Sequence, residues 1–126
     1  MKYLIDSNII IYHLNGEKIA TDFILSHIHV SAISQITYIE VLSFDFDDEN
    51  EFAEVKELLE SFEIIDTSKA IAVQCIKNRK KRKIKLPDNL IASIAQINDL
   101  ILVTRNTADF KNLDLKIMNI FEQKDT

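Results

Sequence analysis

The sequence predicts an α/β fold: a three-layer sandwich around a central, mostly parallel sheet of about five strands. Short apolar runs such as Tyr3-Leu4-Ile5, Glu63-Ile64-Ile65 and Leu100–Val103 recur with room for helices between them, the pattern of strand–helix–strand crossovers. The intervening segments carry apolar residues three and four apart, the period of an amphipathic helix. Leu100–Val103 is apolar throughout, as suits a parallel strand covered on both faces. With 126 residues, 47% of them hydrophobic, the chain has the size of one domain with a real core, and residues 1–126 are read as that domain.

In chain order, Tyr3–Ile5 reads as a buried first strand. Ser7 is then expected to cap a helix running to about Leu14. A second helix, from about Lys18 to Ser26, gathers Ile19, Ala20, Phe23 and Ile24 on one face. His29-Val30-Ser31 is the expected second strand, and Ser34 caps a helix turning Ile36, Ile39 and Leu42 inward. Phe44-Asp45-Phe46-Asp47-Asp48 breaks that helix. Phe52, Val55, Leu59 and Phe62 mark the next helix, and Glu63–Ile65 the third strand. Thr67 or Ser68 caps a helix that enters a basic stretch at Lys77. Pro87, tolerated in a first turn, opens a helix with Leu90, Ile91, Ile94 and Ala95 inward. The strand Leu100–Val103 follows, then a turn or short helix at Asn106–Phe110 and a last strand, Lys116-Ile117-Met118.

Composition removes several kinds of chemistry. Gly16 is the only glycine, so the chain has no P-loop, no dinucleotide fingerprint and no nucleophile elbow, all of which need glycine for positive φ or close backbone approach. Cys75 is the only cysteine, which excludes an internal disulfide and paired-cysteine zinc or redox sites. It is expected to be a packed helix residue. His13, His27 and His29 are scattered and form no convincing ligand pair. Apolar runs reach only four residues, too short for a membrane span or signal peptide, so a cytoplasmic protein with no membrane partner is expected.

What remains is carboxylate chemistry. In an open α/β sheet, ligands bind beyond the carboxyl ends of the strands, where strand order reverses. Asp6 follows the first strand, Thr104, Arg105 and Asn106 follow Leu100–Val103, and Asp109 comes three residues later. Asp88 opens a helix just after Pro87, and Glu40 lies on a helix beside the expected apolar stripe, a costly place for an unpaired carboxylate. Singly, each has an ordinary structural role: Asp6 as a cap, Asp88 as a partner of the helix dipole, Asp109 as a turn residue.

Together they are more specific. Asp6-Ser7-Asn8 follows the first strand, Glu40 comes 34 residues after Asp6, the run PDNLIASIA begins at Pro87, and VTRNTADF begins at Val103. From Asp6 to about Met118 this resembles the PIN-domain family, and within it the VapC-like toxins, the ribonuclease halves of bacterial and archaeal toxin–antitoxin pairs. The resemblance implies that Asp6, Glu40, Asp88 and Asp109 are the catalytic, metal-binding acids, with Asn8, Thr104 and Asn106 supporting the site. Two departures are small: Asn89 stands where relatives usually carry a small residue, and Asn119-Ile120-Phe121 where many have a proline. Carboxylate and water oxygens suit one or two Mg²⁺ or Mn²⁺ ions, and no histidine or cysteine cluster competes. The expected activity is therefore Mg²⁺-dependent hydrolysis of an RNA phosphodiester, leaving 5′-phosphate and 3′-hydroxyl ends. The alternatives are an inactive PIN fold that binds RNA or an antitoxin, a DNA-directed nuclease, and a receiver-like signalling domain. The receiver reading is disfavoured because Asp6 has no adjacent acid and no acceptor aspartate follows Leu100–Val103.

A net charge of −5 is awkward for an enzyme acting on RNA, but it is unevenly spread. Lys77, Arg79, Lys80, Lys81, Arg82, Lys83 and Lys85 fall in one acid-free stretch, leaving 8 basic and 20 acidic residues elsewhere. The run ends shortly before Asp88 and is expected to guide an RNA backbone toward the acids; the plainer reading is a solvated, positively charged helix end. Phe44 and Phe46, in an acidic turn, are candidates for satellite core or for an exposed patch that meets a partner. The resemblance favours the patch, since VapC-like proteins commonly form homodimers and bind a cognate antitoxin with helices of this region.

Overall fold

The computed structural model of the protein describes residues 1–122; residues 123–126 of the expected domain lie outside the described residues. Five strands, β1 (Tyr3–Ile5), β2 (Ser31–Ser34), β3 (Glu63–Ile65), β4 (Ile101–Val103) and β5 (Ile117–Met118), form one sheet in the order β3-β2-β1-β4-β5. All four pairings are parallel, with Tyr3 opposite both Ser31 and Ile101. The α/β sandwich with about five strands is thus observed. The chain winds outward from β1 through β2 to β3, then returns to lay β4 on the other side of β1. The carboxyl ends of β1 and β4 therefore flank the reversal of strand order.

Among the described residues, six α-helices cover the two faces: α1 (Ser7–Leu14), α2 (Lys18–His27), α3 (Gln35–Leu42), α4 (Glu49–Glu60), α5 (Lys69–Lys81) and α6 (Leu86–Ile97). Side chains alternate across a strand, so Leu4, Ala32 and Leu102 join a core with Ile71, Ile91 and Ile94 under α5 and α6. Tyr3, Ile5, Ile33 and Val103 join a second core with Ile9, Ile24, Val41 and Leu59 under α1–α4. Gly16 sits just past α1 at φ +84°, the left-handed position a helix end favours for glycine, and its N–H donates to the His13 carbonyl.

Several local expectations shift. Asp6, not Ser7, is the N-cap of α1: its carboxylate accepts from the Ser7 N–H at 2.7 Å, which places Ser7 inside the first turn. His29 and Val30 belong to a short 3-10 turn (Ile28–Val30), and β2 begins only at Ser31. Ser31 and Ser34 hide that strand in the sequence. Both are buried, Ser31 donating to the His27 carbonyl and Ser34 capping α3 through the Thr37 N–H, so polar residues occupy core positions without an unmet bond. The inner face of α3 is Thr37 and Val41; Ile36 and Leu42 are half-buried, and Ile39 is exposed. Ile19 of α2 is exposed as well. Ser68 caps α5, and Pro87 sits in the first turn of α6.

Buried asparagines fasten α5 to α6. Asn78 Nδ2 is shared among Asn89 Oδ1 (3.1 Å), Ser93 Oγ (3.1 Å) and Gln96 Oε1 (2.8 Å), while Asn89 Nδ2 donates to the Cys75 carbonyl at 2.8 Å. Asn89, the departure from the small residue expected there, is thus a tie between the two helices. Cys75 is packed in the core, as expected.

Candidate active site

Asp6 leaves β1 at its carboxyl end, where α1 turns away and β4 lies alongside. It is only 6% exposed. Oδ1 accepts from the Ser7 N–H; Oδ2 accepts from the Thr104 hydroxyl at 2.8 Å and the Asn8 amide at 3.2 Å. Asn8 also donates to Thr104 Oγ1 (3.0 Å) and accepts from the Arg105 N–H (3.2 Å). Thr104 Oγ1 in turn accepts from the Asn106 N–H at 3.1 Å. The ends of β1 and β4, nearly a hundred residues apart in sequence, are laced together around one carboxylate. Asn8 and Thr104 do this with side chains; Asn106 contributes its backbone.

Glu40 stands on α3 and is exposed, so the expected burial beside an apolar stripe does not occur. Its Oε1 accepts the Ser7 hydroxyl at 2.8 Å. The signal that finds Ser7 is therefore its position between Asp6 and Asn8, where it bridges β1's end to α3. Asp88, in the first turn of α6, is half-buried, and Asp109, on a short 3-10 turn (Thr107–Phe110), is exposed. These two line a cleft of about 180 Å³ with Arg82, Lys83, Ile84 and Lys85.

The four acids share an electric field. Burial pushes Asp6 from an ordinary 3.8 up to about 6; the bonds from Thr104 and Ser7 oppose this, and Asp88 and Glu40 add to it. Asp88 is raised by burial, by Asp109 and by Glu40, with Lys85 pulling the other way. Glu40, Asp88 and Asp109 thus each bear on another of the four acids. Among the described residues, no three His, Cys, Asp or Glu side chains already form an ion site. Asp6 has donors on both oxygens and Glu40 accepts from Ser7. The donor set nevertheless fits a hard cation: every candidate ligand is a carboxylate oxygen, and mutual repulsion is what such an ion relieves.

The basic run divides. Arg82, Lys83 and Lys85 wall the cleft of Asp88 and Asp109, with the Arg82 guanidinium also donating to the Lys111 carbonyl at 2.7 Å. Arg79, Lys80, Lys83 and Lys85 rim an apolar groove of about 830 Å³ over Cys75, Ile76 and Leu86. Lys77 and Lys81 are exposed and line neither. Phe44 is 49% exposed; Phe46 is half-buried and meets Phe52 edge-to-face at 5.6 Å. With Leu42, Asp45, Asp48 and Glu49 they surround a shallow depression of about 390 Å³. No helix among the described residues is long and apolar enough to cross a membrane.

The family model for the PIN domain matches residues 3–116. Among solved structures, a toxin–antitoxin complex from Klebsiella pneumoniae contains a chain 31% identical to this one, covering 97% of this chain and 100% of that one, with a TM-score of 0.79. VapBC2 from Rickettsia felis, bound to a DNA fragment from its promoter, is 27% identical over 94% and 98%, with a TM-score of 0.78. VapBC-1 from nontypeable Haemophilus influenzae is 25% identical over 97% and 100%, with a TM-score of 0.79. No curated protein matches the chain.

Proposed function

Because this chain belongs to the PIN-domain family, whose members are generally nucleases, we propose that it is a divalent-metal-dependent endoribonuclease and the toxin of a cytoplasmic toxin–antitoxin pair. What supports this reading is the electrostatic coupling among acids from four separate elements. Asp6 comes from the end of β1, Glu40 from α3, Asp88 from α6 and Asp109 from the turn after β4, and the charge of one raises the proton affinity of another.

Asp6 and Asp88 are the principal metal ligands in this reading, with Glu40 and Asp109 completing the shell directly or through water. A hard divalent cation held by these carboxylates would supply Lewis-acid chemistry, acidifying water and offsetting charge on a phosphate. The chain's own contribution is placement. Ser7 N–H, Asn8 and Thr104 fix Asp6 in one orientation, and such outer partners keep a ligand set aligned. The Ser7 hydroxyl holds Glu40 toward the same end of the sheet. Arg82, Lys83 and Lys85 offset the acids and draw a phosphate backbone into the cleft. The depression around Phe44 and Phe46 is the antitoxin-contacting surface, apolar with an acidic rim, and the chain acts as a homodimer. The RNA substrate, Mg²⁺ or Mn²⁺ and these site roles stand or fall with one assay. Purified protein is incubated with single-stranded RNA and with DNA of the same sequence, in Mg²⁺, Mn²⁺ or EDTA, beside Asp6→Asn. RNA cleavage that needs the metal and is lost in the variant supports the reading; cleavage that survives EDTA or the substitution overturns it, and preference for DNA reassigns the substrate.

A further inference from the structure

One cation beside the acids belongs to neither the basic run nor the acid cluster. Arg105 follows Thr104 directly, and its N–H is held by Asn8, the residue that also reaches Asp6. Its side chain leaves the acids and lies against two aromatic rings. The guanidinium carbon is 4.9 Å from the centre of the Tyr12 ring and 4.3 Å from that of Phe121, and the two rings meet edge-to-face at 5.1 Å. Arg105 is exposed. The two ion pairs among the described residues are Lys18–Asp22 and Lys116–Asp99, so no described carboxylate engages it.

This arrangement has a chemical consequence. Attraction to a ring leaves the charge of a guanidinium in place, and none of its side-chain N–H groups donates to a described residue, so its donor fork is available to an acceptor. Two rings also restrict a side chain that would otherwise lose much rotamer freedom on binding, so less entropy is lost when a ligand arrives. In a chain with 20 acidic residues, a guanidinium anchored on two rings, with no ion pair among the described residues, at the strand end that bonds Asp6 through Asn8 and Thr104, suits a multi-oxygen anion. Lys83 and Lys85 stand on the α6 side of those acids, and Arg105 is tied to α1.

Resting on the nuclease reading above, we propose that Arg105 is a phosphate-binding residue. Held by Tyr12 and Phe121, it takes a backbone phosphate of the bound strand on the α1 side of the acid cluster, so that the strand is gripped on both sides of the bond to be cut. This grip reads the backbone and not the bases.

The test compares wild type, Arg105→Gln, Arg105→Lys and Phe121→Leu on a short single-stranded RNA, with kcat and KM in Mg²⁺ measured over a series of KCl concentrations. Fluorescence anisotropy of the same RNA in EDTA reports binding without turnover, and melting temperatures report folding. Arg105→Gln is expected to raise KM about tenfold with kcat within about twofold. It should also flatten the salt dependence of binding by about 0.7 in log–log slope, the loss of one single-strand phosphate contact. Arg105→Lys keeps the slope, because the charge remains, while KM rises in part. Phe121→Leu leaves the slope intact and raises KM by loosening the arginine. Unchanged KM and slope in Arg105→Gln overturn the assignment, as does a lower melting temperature with KM and slope unchanged, which marks a staple holding Phe121 to α1. If wild-type protein cleaves and Arg105→Gln matches it, only the arginine's role falls. If wild type neither cleaves nor binds RNA, the nuclease reading itself fails and this assignment with it.

Discussion

On the β1 side of the site Asp6 is buried, with both oxygens engaged by Ser7, Asn8 and Thr104. On the α6 side Asp88 is half-buried and Asp109 exposed, in a cleft walled by Arg82, Lys83 and Lys85. The first region is dry, neutral but for one carboxylate, and made of short side chains that the sheet positions. The second is wet, carries both signs of charge, and is lined by long side chains, of which Arg82 is tied to the Lys111 carbonyl. Four acids of similar chemistry are therefore not equivalent: Asp6 is fixed in the core, Glu40 is held at the surface by Ser7, and Asp88 and Asp109 face an open cleft.

Substitutions separate the two regions, and the largest effect belongs to the first. Asp6→Asn is expected to lower metal-dependent RNA cleavage by at least about 100-fold, some 3 kcal/mol of transition-state stabilisation, while circular dichroism reports an intact fold. Asn keeps the acceptor that caps α1, so a collapse of the fold would mean that Asp6 is chiefly structural.

Acid–base behaviour sharpens the contrast. In the folded chain Asp6 holds its proton up to about 6, whereas the ordinary carboxylate value is 3.8. Its neutral form is the one the fold prefers, so its contribution to stability is full below about 3.8, declines as pH rises and is gone above about 6. The difference amounts to roughly 3 kcal/mol for the metal-free protein. Urea unfolding in EDTA at a series of pH values should show this decline in wild type and a much flatter curve in Asp6→Asn. Equal slopes in the two proteins would remove Asp6 as the cause.

The tie between α5 and α6 comes next. Asn78→Ala removes the amide shared by Asn89, Ser93 and Gln96, and is expected to cost about 2 kcal/mol in urea unfolding, since buried acceptors lose their donor. The hydrogen bonds that hold Asp6 should be unaffected, because Ser7, Asn8 and Thr104 lie on other elements. Smallest in thermodynamic terms is the wet side. Lys83→Gln with Lys85→Gln should leave the melting temperature almost unchanged but reduce the log–log salt slope of RNA binding by about 1.4, two single-strand contacts. An unchanged slope would make the basic run a solvated helix end and nothing more.

The same division decides what could be read from the sequence. β1, β3, β4 and α6 were legible because their residues do one thing each: Tyr3–Ile5 and Leu100–Val103 are apolar, and Pro87 marks a first turn. β2 was misplaced because Ser31 and Ser34 are polar yet buried, each satisfied by a backbone partner that spacing does not reveal. The stripe on α3 failed for a related reason. Thr37 faces inward to meet Ser7 and Ser34, which rotates Ile39 to the surface, where apolar periodicity had placed it in the core. The acids themselves were legible only as a combination of motifs. The lacing of Asn8 to Thr104 spans 96 residues, and no local pattern encodes such a contact.

The asparagine tie also sets a distance. A purely apolar seam between two helices permits slippage by a turn with little loss, but Asn78 has its partners at one register only. The cations that follow it on the chain and the carboxylate of Asp88 thus belong to one stiff body. Slipping α5 against α6 by a helical turn, about 5.4 Å, would break that body and carry the cations at the end of α5 past the acid. Asn78 works as the zero mark of a ruler.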